Sequence, residues 1–285
     1  MPTARLDDRA IITVSGAEAE PFLQNIVTCD LDSLGPSQAQ PSALLSPQGK
    51  ILFDFLISRQ AEQAFLLECR TEIADDFIRR LTLYRLRAKI EIAKQDQTHV
   101  TVSWRSDSVA SHIDSSGIRD MRFFPPAEVF RSYVSGTVDA DIGEWAAFRI
   151  RHGVAESGSD YALGDAFPHD VLLDELGGVG FRKGCYIGQE VVSRMQHRGT
   201  ARRRVLIVEG EHDLPAPGTD ISAGGRSIGT LGSTEGKHGL AIVRIDRAKD
   251  AMDAGTQIIA GDVVVSLQIP SFAKFTYPKS AGDEA

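Results

Sequence analysis

The sequence is poor in cysteine, and its few cysteines form no recognisable cross-linking or metal-binding pattern. The three residues, Cys29, Cys69 and Cys185, are odd in number and lie far apart in the chain. A disulfide framework usually has an even number of cysteines, so this usage fits a reducing compartment. No Cys-x-x-Cys pair is present, and the spacing therefore suggests neither a zinc site nor a permanent iron–sulfur cluster.

Long apolar runs and net positive charge are also lacking. No run approaches the roughly 18 apolar residues of a membrane-spanning helix, and residues 1–9 are polar, unlike a signal or transit peptide. We therefore predict a cytoplasmic protein without a membrane partner. The formal net charge of −8 argues against nonspecific nucleic-acid binding through bulk charge, but it leaves a local basic face open.

The pattern of apolar residues predicts an α+β protein with a change of architecture near residue 203. Before that point we predict strands and helices in the order of a split βαβ, ferredoxin-like unit. The predicted strands are 10–14, 43–45, 51–57, 64–69, 90–93 and 99–104, and the predicted helices are 17–26, 71–83 and 143–152. After that point, short strands separated by Gly, Pro and Asp turns predict a small antiparallel β-barrel. These strands are 205–208, 227–232, 239–245 and 263–269, with a helix near 247–252.

This change predicts two domains, 1–202 and 203–285. The first is further divided into about 1–105, with a late segment, and about 106–180. Asp54 interrupts the apolar strand 51–57 of the first domain. A carboxylate in such a run must be hydrogen-bonded or face a cavity, and we expect the side chain of Asp54 to face a cavity.

The densest chemistry in the chain is the stretch 183–190, which reads Lys-Gly-Cys-Tyr-Ile-Gly-Gln-Glu. Residues 191–197 are predicted to form a helix. If that helix begins near Ile187, Cys185 lies close to its N-terminus and two residues from Lys183. Both features favour the thiolate, and such cysteines titrate between roughly 3.5 and 7.5 in place of about 8.5. The alternative interpretation is a small buried cysteine in a Gly-rich turn.

The stretch 183–190, followed by Arg194, resembles the signature of the YgfZ family. These are folate-binding proteins implicated in the maturation of iron–sulfur proteins, and they are related in fold to the glycine-cleavage T-protein, an aminomethyltransferase. The resemblance implies ferredoxin-like units around a central cavity and a C-terminal barrel. It also implies tetrahydrofolate or a one-carbon derivative as ligand, iron–sulfur client or assembly proteins as partners, and a link to tRNA modification.

The resemblance assigns roles to individual residues of the motif. Cys185 becomes the candidate catalytic residue, acting on the client rather than holding the pterin. Asp54 becomes a candidate pterin contact, and Arg194 a charge partner for the glutamate tail of folate. The remaining candidate folate-binding residues are Lys183, Tyr186, Gln189 and Glu190.

Two departures from the T-protein pattern put aminomethyl transfer in doubt. Phe53 stands where T-proteins carry the first of two consecutive aspartates, and Arg151 stands where they carry a folate-contacting glutamate. A folate-dependent transferase of the T-protein type nevertheless stays open as the alternative function. A third interpretation is a module that binds RNA or protein through the basic clusters in 79–89 and 202–204.

Overall fold

The computed structural model describes residues 1–96, 99–105, 117–199 and 201–278. Contacts divide the chain into two compact units. Unit 1 comprises Met1–Ile142 and Leu176–Glu190, and unit 2 comprises Gly143–Glu175 and Val191–Ala285. The predicted α+β class and the C-terminal antiparallel barrel are confirmed. The predicted boundary between residues 202 and 203 stays a prediction, and the subdomain boundary expected near residue 106 lies outside the described residues.

Unit 1 is built on one mixed sheet, which has nine strands among the described residues, in the order β1-β7-β9-β8-β3-β4-β5-β2-β6. The strands are β1 (Thr3–Arg5), β2 (Arg9–Ser15), β3 (Gln38–Leu45), β4 (Ile51–Ala61), β5 (Ala64–Arg70), β6 (Glu91–Lys94), β7 (Thr101–Arg105), β8 (Ile118–Asp120) and β9 (Glu128–Ser132). The helices are α1 (Ala19–Gln24) and α2 (Thr71–Arg85), with a short 3₁₀ helix at Leu31–Ser33.

One face of this sheet forms the apolar core of unit 1 beneath its helices. Successive side chains of a strand point to opposite faces, so Phe53 and Phe55 of β4 share a face. Both rings lie 4.9 Å from the ring of Phe77 on α2. Asp54, between them, therefore lies on the opposite face of the sheet.

The opposite face is strongly curled and carries buried charge. Strands β9 and β5 are four positions apart in the sheet order, which is about 19 Å in a flat sheet. That distance exceeds the combined reach of an arginine and a glutamate side chain. Arg131 of β9 nevertheless donates from Nη1 to Glu68 Oε1 of β5 at 2.9 Å, so the sheet bends round to bring the two strands together.

Unit 2 contains the closed barrel, in the strand order β10-β13-β12-β11-β14-β15. Its strands are β10 (Arg203–Gly210), β11 (Asp220–Ala223), β12 (Arg226–Glu235), β13 (His238–Arg244), β14 (Ile258–Ala260) and β15 (Val263–Gln268). The helices after residue 140 are α3 (Ile142–Arg151), α4 (Gln189–Arg198) and α5 (Ile245–Asp253). No helix among the described residues is long and apolar enough to cross a membrane.

Residues 143–175 group with the barrel because a buried arginine joins them to it. Arg149 of α3 donates from Nη1 to Asp160 Oδ2 at 2.6 Å and from Nη2 to Ser233 Oγ of β12 at 2.7 Å. The backbone adds a second link, since Val205 N–H donates to Asp170 O at 2.9 Å. The barrel therefore packs with a segment that precedes the 183–190 motif in sequence.

Candidate functional site

The loop after α1 forms the base on which the 183–190 motif lies. Gln24 donates from Nε2 to Asp30 Oδ1 at 2.7 Å, and its Oε1 accepts from Leu31 N–H at 2.9 Å. Asp30 in turn caps the 3₁₀ helix by accepting from Asp32 N–H. These bonds explain the two polar residues of this segment and fix the carbonyl groups of residues 27–29.

Lys183 anchors the motif to those carbonyl groups. Its Nζ donates to Val27 O at 2.9 Å and to Cys29 O at 2.6 Å, while Gly180 N–H donates to Thr28 O at 2.8 Å. Burial lowers the pKa of Lys183, and the nearby Asp30 opposes that shift. The ammonium group of Lys183 therefore holds the motif against residues 27–29 through hydrogen bonds. The assignment of Lys183 as a folate contact stays a prediction.

Tyr186 and Gln189 form the turn that leads into α4. Tyr186 is buried, and its backbone N–H donates to Gln189 Oε1 at 3.1 Å. Its ring centre lies 5.3 Å from Lys183 Nζ, in a cation–π arrangement. Burial raises the pKa of the Tyr186 phenol to about 12, so the hydroxyl stays protonated at neutral pH. Glu190 and Arg194 of α4 have exposed side chains.

Gly188 sets both the position of the motif and the start of α4. Its φ is +79°, and a Cβ there would lie 2.5 Å from Ser46 O in the turn between β3 and β4. A residue with positive φ cannot belong to a right-handed helix, so α4 begins at Gln189. The condition that the helix begins near Ile187 is therefore not met, although the helix predicted at 191–197 is present. Cys185 therefore lies four positions before the helix, beyond the first turn where a helix dipole acts.

Cys185 is exposed, whereas Cys29 and Cys69 are buried. Burial raises the pKa of Cys29 to about 11 and that of Cys69 to about 12, so both remain thiols at neutral pH. The neighbours Lys183 and Tyr186 are held on either side, so Cys185 is presented to solvent from an anchored backbone. The alternative of a buried turn cysteine is wrong.

A buried cluster of charged residues on the curled face of unit 1 was missed by sequence reasoning. Arg131 bridges Glu68 and Asp120, and Arg122 donates from Nη2 to Asp120 Oδ2 at 2.7 Å. Burial alone would raise the pKa of Asp120, but Arg122 and Arg131 hold it below its usual value. The available signal was the one used for Asp54, a charged residue inside an apolar strand.

Several buried polar atoms of this cluster have no hydrogen-bond partner among the described residues. They are Ser58 Oγ, Glu68 Oε2 and Tyr133 Oη. Tyr133 and Glu68 nevertheless lie close together, because burial and then the charge of Glu68 raise the pKa of the Tyr133 phenol. Asp54 and Ser58 share one face of β4 through their even spacing, and Glu68 is paired with Leu56, which lies between them. The cluster is therefore a candidate binding site that adjoins Asp54.

The predicted site residues fall into three groups, one of which is the exposed pair Glu190 and Arg194 on α4. Lys183, Cys185, Tyr186 and Gln189 lie in one anchored turn, while Asp54 belongs to the curled face of the sheet. Phe53, at one departure from the T-protein pattern, stacks in the core on Phe77. Arg151, at the other, is exposed and donates from Nε to Ala147 O at 3.1 Å.

The chain resembles known proteins over almost its whole length. A family model described as the C-terminal β-barrel domain of CAF17 matches residues 202–275. The glycine cleavage system aminomethyltransferase T of Bartonella henselae superposes with a TM-score of 0.73 at 16% identity, covering 98% of this chain and 88% of that one. Identity this low shows the fold alone.

The curated relatives are named iron–sulfur cluster assembly factors. The mitochondrial IBA57 of Mus musculus is 30% identical, covering 95% of this chain and 86% of its own length. The Homo sapiens protein is 30% identical, covering 86% of this chain and 78% of its own length. The Pyricularia oryzae homologue is 32% identical, covering 86% of this chain and 72% of its own length. The predicted cytoplasmic location is wrong by this comparison, because all three relatives are named as mitochondrial. With such identity across most of both chains, this chain belongs to the family of the iron–sulfur cluster assembly factor IBA57.

Proposed function

We propose that this chain is an accessory factor in the assembly or maintenance of iron–sulfur proteins. We also propose that the Cys185 thiol contacts the cluster or its sulfur directly. The observation that carries the proposal is the contrast among the cysteines, since Cys185 is exposed and Cys29 and Cys69 are buried. The names of the curated relatives support the same role.

The chemistry assigned to Cys185 is that of a single thiolate ligand. The thiolate is the form that binds metals, and the exposed Cys185 is accessible to a partner protein. Iron–sulfur clusters are commonly held by four thiolates, and the buried Cys29 and Cys69 are not placed to supply them. The partner that delivers or receives the cluster would supply the other ligands, while Lys183 and Gly188 keep the backbone of the motif in place.

The role of the whole chain is tested by complementation of cells that lack their own homologue. We expect expression of this chain to restore the specific activity of a [4Fe–4S] enzyme, with a cluster-free enzyme of the same cells as the control. Unchanged activity of the [4Fe–4S] enzyme, despite folded protein at normal abundance, would reject the proposed role.

We further propose that unit 1 binds tetrahydrofolate or a one-carbon derivative on its curled face. The buried atoms Ser58 Oγ, Glu68 Oε2 and Tyr133 Oη offer two hydroxyls and a carboxylate, which suit the donors and acceptors at the edge of a pterin. Asp54 lies on the same face of β4. A bound folate of this kind carries a one-carbon unit, and the protein residues would hold and orient it.

The departures at Phe53 and Arg151 favour folate binding over aminomethyl transfer. Phe53 supplies core packing where the T-protein pattern has a carboxylate, and Arg151 is exposed. The assignment of Arg194 as charge partner of the folate glutamate tail rests on the motif alone, and Glu190 lies one turn before Arg194 on α4. Tyr186 and Gln189 would act by shaping the motif.

Folate binding is tested by anaerobic calorimetric titration with tetrahydrofolate. We expect Glu68→Gln and Asp54→Asn each to weaken binding about tenfold or more, because charge-assisted hydrogen bonds contribute about 1.5–3 kcal/mol. Glu209→Gln, which changes an exposed glutamate of β10, serves as the matched control. Absence of heat up to millimolar ligand would reject folate binding without touching the role of Cys185.

A further inference from the structure

The C-terminal end of α2 exposes two leucines that contribute nothing to the core of unit 1. The helix buries Ala74, Phe77 and Leu81 against the sheet. Leu83 is 69% exposed, and Leu86, directly after the helix, is 85% exposed. Apolar side chains exposed next to one another often mark a binding surface.

Leu86 is held in a backbone conformation that normally requires glycine. Its φ is 47° and its ψ is −104°, and Ala88 N–H donates to Arg85 O at 2.8 Å. This is a type II′ turn with Leu86 at the first central position, where the positive φ favours Gly, Asn or Asp. A bulky residue at this position strains the backbone, so the geometry of the turn does not explain why it carries a leucine. A contact between the Leu86 side chain and a partner would explain it.

The turn is fixed in place by the segment before α1. Lys89 N–H donates to Glu18 Oε2 at 2.7 Å. Gly16 has a φ of +126°, and a Cβ there would lie 2.5 Å from Lys89 O. Leu86 is therefore presented from a pre-formed turn, which lowers the entropy cost of binding.

The same segment is strongly basic in an acidic chain. Residues 79–90 contain five Lys and Arg side chains and no Asp or Glu, whereas the whole chain has a net charge of −8. Arg79 is paired with Asp76. Within the described part of the chain, the exposed side chains of Arg80, Arg85, Arg87 and Lys89 take part in no salt bridge.

We infer that Leu83, Leu86, Arg80, Arg85, Arg87 and Lys89, here named the basic turn surface, dock an acidic segment of a partner protein that carries apolar side chains. The unpaired cations require negative charge on the partner, and the two leucines require an apolar contact. RNA would satisfy the cations but not the leucines, and the one aromatic residue of 79–90, Tyr84, is half-buried against the core of unit 1 and does not offer a free ring face for base stacking. An extended anionic bilayer would be repelled by the net negative charge of the rest of the chain.

The inference is tested with a fluorescein-labelled peptide of repeated Asp-Glu-Leu-Glu units and a second peptide with Ser in place of Leu. Fluorescence anisotropy at about 0.1 M salt gives both affinities for the full chain. We expect the Leu peptide to bind about tenfold more tightly or better, which corresponds to at least about 1.4 kcal/mol. Poly(U) RNA and phosphatidylglycerol vesicles are titrated in parallel.

Variants separate the apolar contribution from the charge contribution. Leu86→Gly should remove the preference for the Leu peptide and leave the melting temperature unchanged or higher, because glycine relaxes the turn. Arg85→Glu with Arg87→Glu should weaken binding of both peptides about tenfold or more. The matched controls Met252→Ser and Arg226→Glu change exposed residues of unit 2 and should keep wild-type affinities.

Three outcomes would each overturn the inference. They are equal or undetectable binding of the two peptides, an unchanged Leu preference in Leu86→Gly, and tighter binding of poly(U) or of the vesicles than of the Leu peptide. The test does not involve Cys185, Asp54 or Glu68, so its result is independent of the proposed function.

Discussion

Burial decides the protonation state of His169 in unit 2. The side chain is 1% exposed, and its Nε2 lies 3.1 Å from Gln196 Oε1. Burial lowers the pKa of His169 below its usual 6.5, although Asp174 opposes the shift. As the pH falls, the unfolded chain therefore takes up a proton before the folded chain does. The stability contributed by neutral His169 is present above about pH 6.5 and is lost as the pH falls toward the folded value.

We predict that His169→Gln reduces the loss of stability between about pH 7.5 and 5.5, because it removes this proton linkage. The measurement is the free energy of unfolding in urea across that range. His197→Gln, which changes an exposed histidine of α4, should retain the wild-type pH dependence. Equal slopes for His169→Gln and the wild type would contradict the assignment.

The sequence identified the chemistry of single residues better than their contacts. Cys185 and Asp54 stood out because a thiol in a polar motif and a carboxylate in an apolar strand are both unusual. The partners of Lys183 could not be predicted, since Val27 and Cys29 lie 156 and 154 positions earlier in the chain. No spacing rule connects residues that far apart.

At the scale of elements, the motif and the β3–β4 turn are joined through Gly188. The positive φ and the close approach to Ser46 O exclude any side chain at this position. Gly184, four residues earlier, has open space around the position of a Cβ and no positive φ. Position 188 therefore requires glycine, whereas position 184 can accept a side chain.

We predict that Gly188→Ala lowers the free energy of unfolding by about 1–3 kcal/mol, the cost of a residue held in a sparsely populated conformation. Gly184→Ala should change it by less than about 0.5 kcal/mol. Urea unfolding of the two variants makes the comparison directly. Similar values for both would show that the motif is not held against the turn.

Most elements with a clear pattern were predicted, and the failures have physical causes. The strand predicted at 51–57 extends to Ala61, and the helix predicted at 71–83 extends to Arg85. The short barrel strands β11 and β14 were missed, because three or four residues carry too little alternation to detect. The helix start at Gln189 was missed because the positive φ of Gly188 depends on a distant turn.

At the scale of the whole molecule, the two compact units are not consecutive in sequence. Arg149 joins Asp160 and Ser233 in a buried network of unit 2, so the barrel is stabilised by residues that precede the motif. The change of pattern near residue 203 marks the start of β10. It could not reveal that residues 143–175 pack with the barrel, because a hydrogen bond between Arg149 and Ser233, 84 positions apart, leaves no local signal in the sequence.

We predict that Arg149→Met lowers the free energy of unfolding by about 3–5 kcal/mol, because it leaves the buried carboxylate of Asp160 without its charge partner. Arg151→Met provides the matched control in the same helix, since Arg151 is exposed, and it should change stability by less than about 0.5 kcal/mol. Comparable losses in urea unfolding would mean that the network does not stabilise unit 2.

The central claim is that the exposed thiol of Cys185 serves iron–sulfur protein assembly. Its most direct test is the specific activity of a [4Fe–4S] enzyme in cells that lack the endogenous homologue and express Cys185→Ser. We predict activity at the level of cells without the chain, although the variant keeps its abundance and its melting temperature. Cys29→Ala and Cys69→Ala, which change buried thiols, should restore activity in proportion to the folded protein present. Full restoration by Cys185→Ser would contradict the claim.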